Sequence, residues 1–229
     1  MTSDRDQAEP RHMKLTGFPE RGDAELLERA RSFRELMARR RTVRAFSDRP
    51  VPREVIDEAI RTAGSAPSGA NKQPWFFSVV ASPEHKARIR EAAEEEERAF
   101  YGGRASAEWL RDLRPFGTDW QKPFLEVAPA LIVVFQRSVG TPGPDGTPSK
   151  HYYVKESTGL AAGLLIASLH QAGLATLTHT PSPMRFLQEL CGRPDTDRAM
   201  MIVVTGFPAA DATVPDITRK PLDDIRAWL

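Results

Sequence analysis

Cysteine is nearly absent: Cys191 is the single thiol in 229 residues. One thiol closes no disulfide framework and builds no Cys-rich zinc or iron–sulfur site. Neither sign of charge is in excess. Lys+Arg 32 against Asp+Glu 31 leaves a net charge of +1, so no global basic field exists to recruit nucleic acid. Long apolar runs are missing as well. The longest, Gly159 to Leu169, falls short of the roughly 18 residues that suggest a membrane span. The opening MTSDRDQAEPRH carries acids and a proline and reads as neither signal peptide nor anchor. His12, His85, His151, His170 and His179 contain no pair at a familiar zinc spacing, so no metal site is expected. No G-x-S-x-G elbow, Walker loop or G-x-G-x-x-G occurs, which leaves Rossmann-type dinucleotide binding unsupported. These absences point to a soluble protein of the reducing cytoplasm.

What is present is a well-patterned core, with 40% apolar residues. Residues 1–22 are polar and punctuated by Pro and Gly, the pattern of a flexible N-terminal arm. From Asp23, Leu26, Leu27, Ala30, Phe33, Leu36 and Met37 fall on one helix face. Val55, Ile56, Ala59, Ile60 and Ala63 make a second amphipathic helix, and Trp75 to Ala81 (WFFSVVA) reads as a strand. Ser82-Pro83 starts a long, charge-rich helix as N-cap and first-turn proline. Residues 102–127 have apolar content without a clean period. Ala130 to Phe135 (ALIVVF) predicts a strand buried on both faces, and Ser138 to Lys150 reads as a Gly/Pro loop. Val154 to Ala172 predicts a helix apolar almost all round, rich in small residues and capped by Gly173, suited to the centre of the fold or a subunit interface. Strands at Leu174–Thr178 and Met200–Thr205 and a short helix at Met184–Leu190 complete the core. Helices and strands mix without βαβ alternation, so the fold class is α+β.

The chemical signal lies in the arginines. Arg39-Arg40-Arg41-Thr42-Val43-Arg44 closes a helix and turns into an extended segment. Taken alone it describes a solvated basic helix end better than a phosphate site built from guanidinium forks. Two neighbours favour the second reading. Pro67-Ser68-Gly69-Ala70-Asn71-x-Gln73-Pro74-Trp75 is a tight loop suited to presenting backbone N–H groups, and Arg219-Lys220-Pro221 adds a basic cluster near the C-terminus. Cys191, on the apolar side of a short helix, fits core packing better than catalysis.

Together these motifs resemble the nitroreductase-like flavoprotein superfamily, and within it the iodotyrosine deiodinase family, from about Glu35 to the end of the chain. The stretches that carry the resemblance are RRTVRAFS (40–47), VIDEAIRTAGSAPSGA (55–70), EEEERAFY (94–101) and WLRDL (109–113). HYYVKES (151–157), AGLATLTHTP (172–181) and ATVPDITRKPLD (212–223) extend it. The resemblance implies a mostly antiparallel central sheet flanked by helices, in an intertwined homodimer with FMN at its interface. A domain over 23–208 would carry a lid at about 94–125, and residues 209–229 would form an arm packing on the partner subunit.

It also implies roles for individual residues. Glu97, Tyr101 and Lys122 stand where the family grips the zwitterion of a halotyrosine. The spacing suits this independently, since residues 97 and 101 share one helix face. Arg40, Arg41, Thr42, Arg44 and Arg219 are implied FMN ligands. Ser68 would lie along the flavin, and the Ala70 N–H would meet the substrate phenolate. Thr178, His179 and Thr180 would flank the flavin ring, with the Thr180 hydroxyl on N5, where it favours one-electron chemistry. Catalytic roles thus fall to Thr180 and Ala70. His179 stands where a small hydroxyl residue is expected, and Thr42 where serine is common.

The activity so implied is FMN-dependent reductive dehalogenation of halogenated tyrosines, converting iodotyrosine to tyrosine and iodide. Its electrons would come from an external donor such as an NAD(P)H-linked reductase. Two alternatives stay open at this stage: a broad NAD(P)H-dependent nitroreductase or quinone reductase, and a protein that binds flavin or halotyrosine without turnover.

Overall fold

A computed structural model describes residues 10–142 and 146–229. The start of the N-terminal arm (1–9) and the tip of the expected 138–150 loop (143–145) lie outside the described residues. The chain divides into two units, one ending at Ala38 and one from Arg39 to Leu229. The first unit is essentially helix α1 (Asp23–Ala38), which opens with Asp23 and Glu25 at the positive end of its dipole and buries none of its residues.

The second unit is organised around β2 (Ala130–Arg137), whose ALIVVF segment is wholly buried. Alternation sends Leu131, Val133 and Phe135 into one core cluster and Ala130, Ile132 and Val134 into another. The sheet therefore has an apolar layer on each face. Order within it is β1-β2-β6-β5, with β1 (Trp75–Val80), β5 (Ala175–His179) and β6 (Asp197–Gly206), and every pairing is antiparallel. One layer holds α2 (Arg53–Gly64) and α6 (Val154–Gln171) through Ile56, Ala59, Ala63, Ala162, Leu165 and Leu169. The other holds α3 (Pro83–Ala99), α5 (Phe124–Val127) and α7 (Phe186–Leu190) through Ile89, Ala93, Leu125 and Leu187. Each such Leu, Ile or Phe contributes roughly 1.5–3 kcal/mol when fully buried, which is why β2 carries no polar residue until Gln136.

The elements follow their local sequence. Ser82 caps α3 by accepting from the His85 N–H at 3.3 Å, with proline at the first helical position. Gly173, at φ 86°, ends α6 in the left-handed conformation glycine tolerates. Where a plain loop is expected at 138–150, a small two-stranded ladder forms: β3 (Val139–Gly140) pairs with β4 (Ser149–Lys150). Two-residue strands are too short to leave a period in the sequence. The aperiodic 102–127 stretch resolves into a π-helical turn (Phe100–Arg104), α4 (Ala107–Leu113), a 3-10 turn (Arg114–Phe116) and α5. Gly103 (φ 150°) and Gly117 (φ 58°) make the two reversals that fold this segment back on α3. After β6 the C-terminal segment runs without regular structure apart from Leu222–Asp224. Ile217, Leu222, Ile225 and Trp228 on it are all exposed. No described helix is long and apolar enough to cross a membrane.

Candidate active site

The arginine run lies where the chain leaves α1 and enters an extended segment docked on the edge of the sheet. Thr42 bridges Thr176 of β5, and Val43 donates to the Thr176 carbonyl at 3.2 Å. This brings Arg40, Arg41, Thr42 and Arg44 to a cavity of about 160 Å³ that Thr218, Arg219, Pro215, Ile217 and Phe116 complete. The C-terminal segment is tied to the run at two points. Arg41 donates to the Pro215 carbonyl, and Arg219 donates to the Arg40 carbonyl at 2.8 Å. Four guanidinium groups thus face one cavity with no carboxylate among its described lining residues. The Arg40 guanidinium is held below its usual range by burial, then by the charges of Arg219 and Arg41. A cavity that gathers four guanidinium groups and no described carboxylate suits a polyanion.

Arg44 also lines a second, larger cavity of about 400 Å³, so the two adjoin. Its walls include Glu97 from the end of α3, Tyr101 from the π-helical turn after it, Thr118 and Lys122 from the segment folded back on α3, Thr178 and His179 from the end of β5, and Thr180 just beyond it. Glu97 and Lys122, 25 positions apart in sequence, meet here with Lys122 Nζ 3.2 Å from Glu97 Oε2, both side chains almost fully buried. Lys122 Nζ also donates to the Asp119 carbonyl and lies 5.3 Å from the Tyr101 ring centroid. The Tyr101 hydroxyl is 2.9 Å from the Thr118 hydroxyl. Burial pushes the Glu97 carboxyl above its ordinary range, and the adjacent Lys122 only partly offsets this. Anion, cation and phenol therefore line one cavity, the first two paired with each other and the phenol hydroxyl with Thr118.

The β5 residues divide by strand alternation. Leu177 and His179 are buried, Leu177 in the core cluster beneath α3, while Thr178 and Thr180 are exposed. His179 meets Phe124 edge-on at 5.6 Å between ring centroids. Burial, reinforced by the charges of Lys122 and Arg44, lowers its pKa to about 3, so the ring is neutral at any working pH.

Ser68 and Ala70 line neither cavity; they lie in the loop between α2 and β1. That loop is distorted, with Ala70, Asn71 and Gln73 all at φ near +50°. Such strain persists only where the surroundings over-determine it, and it concentrates at functional segments. Gly69 packs closely: a Cβ there would lie 2.8 Å from the Tyr153 ring at the start of α6 and 3.2 Å from the Tyr152 carbonyl oxygen, so a larger residue would displace Tyr153. Sequence reasoning did not single out Glu94, Thr118 or the Pro215 carbonyl. The first was hidden in an acidic run that reads as a solvated face, although residues 94, 97 and 101 share one helix stripe. The other two carry no sequence signal. Cys191 packs at the C-terminal end of α7 with its thiol pushed up to about 11 by burial, which suits a structural thiol.

A three-layer α/β/α arrangement on an antiparallel sheet, with an arginine cavity beside the edge strand, is the frame of a flavoprotein class. The chain belongs to the nitroreductase family, whose sequence model matches residues 37–207. Within that family it is similar to iodotyrosine deiodinases. The one from Haliscomenobacter hydrossis is 56% identical over 196 residues, covering 86% of this chain and 88% of that protein. The one from Danio rerio is 47% identical over 205 residues, covering 88% of this chain and 68% of that protein. A solved structure of oxidized iodotyrosine deiodinase bound to FMN and 3-iodo-L-tyrosine superposes with a TM-score of 0.72 at 30% identity. It is matched over 86% of this chain and all of that one.

Proposed function

We propose that this chain is an FMN-dependent dehalogenase that converts ortho-halogenated tyrosines, iodotyrosine among them, to tyrosine and halide. The observation that carries the reading is the meeting of Glu97, Tyr101 and Lys122 at one end of a cavity. A carboxylate suits an ammonium group, and an ammonium with a phenol suits a carboxylate. The set complements the zwitterion of an α-amino acid, which a nitroaromatic does not possess. The arginine cavity fits the cofactor, because a cluster of crowded guanidinium groups needs the charge a phosphate brings.

In the reaction the carbon–halogen bond breaks, a proton takes the halogen's place on the ring, and halide leaves. FMN, once bound and reduced by an external donor, supplies the two electrons this exchange consumes. Arg40, Arg41, Thr42, Arg44 and Arg219 bind and orient the cofactor. Thr178, Thr180 and His179 form the wall beside it, with the Thr180 hydroxyl offered to the flavin edge. Glu97, Tyr101 and Lys122 bind the amino acid end of the substrate. As they do, the segment from Phe100 to Lys122 closes over the ring and excludes water.

Ser68 and Ala70 complete the site from a second copy of the chain, the Ala70 N–H meeting the phenolate oxygen. Three features support a homodimer. Tyr153, Leu160 and Leu164 form an apolar face at the start of α6, beside a cavity bordered by Pro67, Gly159 and Gly163. The residues missing from the single-chain site lie in the adjoining loop, where Gly69 approaches Tyr153. The C-terminal segment leaves Ile225 and Trp228 exposed, as an arm over residues 209–229 destined for a partner would. Sedimentation equilibrium is expected to give twice the 25.5 kDa chain mass; a monomer that retains FMN and activity contradicts this assembly. The domain at 23–208, its lid at about 94–125 and a cytoplasmic location accord with the same reading.

The deciding experiment is anaerobic. The purified flavoprotein is reduced with dithionite and iodotyrosine is added. Reoxidised flavin with one tyrosine released per flavin is the expected result. Flavin that stays reduced until a nitroaromatic is supplied identifies a nitroreductase. Tight halotyrosine binding with no tyrosine formed identifies a binding protein.

A further inference from the structure

Lys122 is held at both ends. Its ammonium faces Glu97, and its backbone N–H donates to Glu94 Oε1 at 2.8 Å. Glu94 is buried and lies one helical turn before Glu97 on the same stripe of α3. The same Oε1 accepts from Arg90 Nε at 2.8 Å, while Oε2 faces Arg98 at 3.8 Å. Burial alone would raise the Glu94 pKa, but the Lys122 N–H and the two arginines together hold it below the ordinary carboxylate range. The group is therefore a fixed anion. Glu94 does not line the cavity, so its effect on a ligand there passes through Lys122.

We propose that Glu94 is a positioning residue: it anchors the Lys122 backbone to α3 and thereby fixes the separation between the Glu97 carboxylate and the Lys122 ammonium. So placed, the carboxylate and the ammonium can take the two charged groups of an amino acid ligand. The proposal rests on the clamp reading of Glu97, Tyr101 and Lys122. Helix α3 supplies the carboxylate and the π-helical turn that continues it supplies the phenol, whereas the cation arrives on an irregular segment that needs an external anchor. Among the described residues the Lys122 N–H finds its acceptor on α3, at Glu94.

The test is a set of FMN-loaded variants titrated with two ligands, iodotyrosine and an iodophenol lacking the amino acid group, by quenching of flavin fluorescence. Glu94→Ala is expected to weaken iodotyrosine binding about tenfold or more, with the dissociation constants of FMN and the iodophenol unchanged. Glu94→Gln keeps an oxygen acceptor for the Lys122 N–H and is expected to restore most of the affinity. Should the alanine variant fail to fold, Glu94→Asp, whose shorter side chain withdraws from that N–H, replaces it with the same expectation. Unchanged iodotyrosine affinity in the alanine or aspartate variant overturns the proposal. Equal weakening toward both ligands also overturns it, because that is the mark of general structural damage. Wild-type protein that binds the iodophenol as well as iodotyrosine instead overturns the clamp reading, and the proposal with it.

Discussion

Lys122→Met is expected to weaken iodotyrosine binding by roughly 100-fold while leaving FMN binding intact. Methionine preserves the length and apolar contacts of the buried side chain and removes only the charge. Two penalties follow. The substrate carboxylate loses a charge-assisted partner worth roughly 1.5–3 kcal/mol, or about 10- to 150-fold in affinity. Glu97, now without the ammonium 3.2 Å away, keeps only the charge of Arg104 to offset its burial, so its pKa rises further and it is less available as the anion that accepts the substrate ammonium. Glu97→Gln is expected to weaken binding similarly, and the double variant by less than the sum of the two, because each single change orphans the other charge. Titration of the four proteins by flavin fluorescence checks this. Strict additivity would mean that the two residues act on the ligand independently.

The same pair sets a pH limit with a definite sign. Glu97 must be ionised to accept the substrate ammonium, and burial raises its pKa. Iodotyrosine affinity should therefore fall as pH falls through a value above the ordinary carboxylate range, and Glu97→Gln should abolish that acid limb.

The fold was legible where burial imposes a period. ALIVVF could only be a strand covered on both faces, and the stripes of α2 and α6 follow from their apolar spacing. The lid was not legible in the same way. Its path depends on a π-helical turn, two left-handed glycines and hydrogen bonds from side chain to backbone, none of which leaves a hydrophobic pattern. The site was half legible. Arginines and a strained loop can be recognised as cofactor-binding types, but the expected strand stops at Thr178, so the alternation that turns His179 into the core goes unread. In the proposed homodimer Ser68 and Ala70 act in a second copy, and a residue of that kind has no neighbour in its own chain to reveal its role.

His179 leads to the other large effect, on stability. In the unfolded chain its imidazole titrates near 6.5; in the fold it titrates near 3. Between those values the unfolded state takes up a proton that the folded state refuses. Stability contributed by this group is therefore intact above pH 6.5 and is lost as pH falls, by about 1.4 kcal/mol per unit. By pH 4 the loss is about 3 kcal/mol, a large share of a typical domain's net stability. His179→Gln keeps a planar polar side chain that does not titrate. Relative to wild type, its unfolding free energy in urea should lose this slope between pH 6.5 and 4, whatever its absolute stability at neutral pH. Parallel pH dependences for the two proteins would show that the ring is protonated or open to solvent in the folded state. The Nε2 atom is buried with no hydrogen-bond partner among the described residues, an arrangement that itself costs stability. The consequence for the site is electrostatic. A histidine at this place titrating near 6.5 would switch the charge beside Lys122 and Arg44 across the physiological range. Held neutral, the ring adds no charge of its own beside Lys122 and Arg44 between pH 6 and 8.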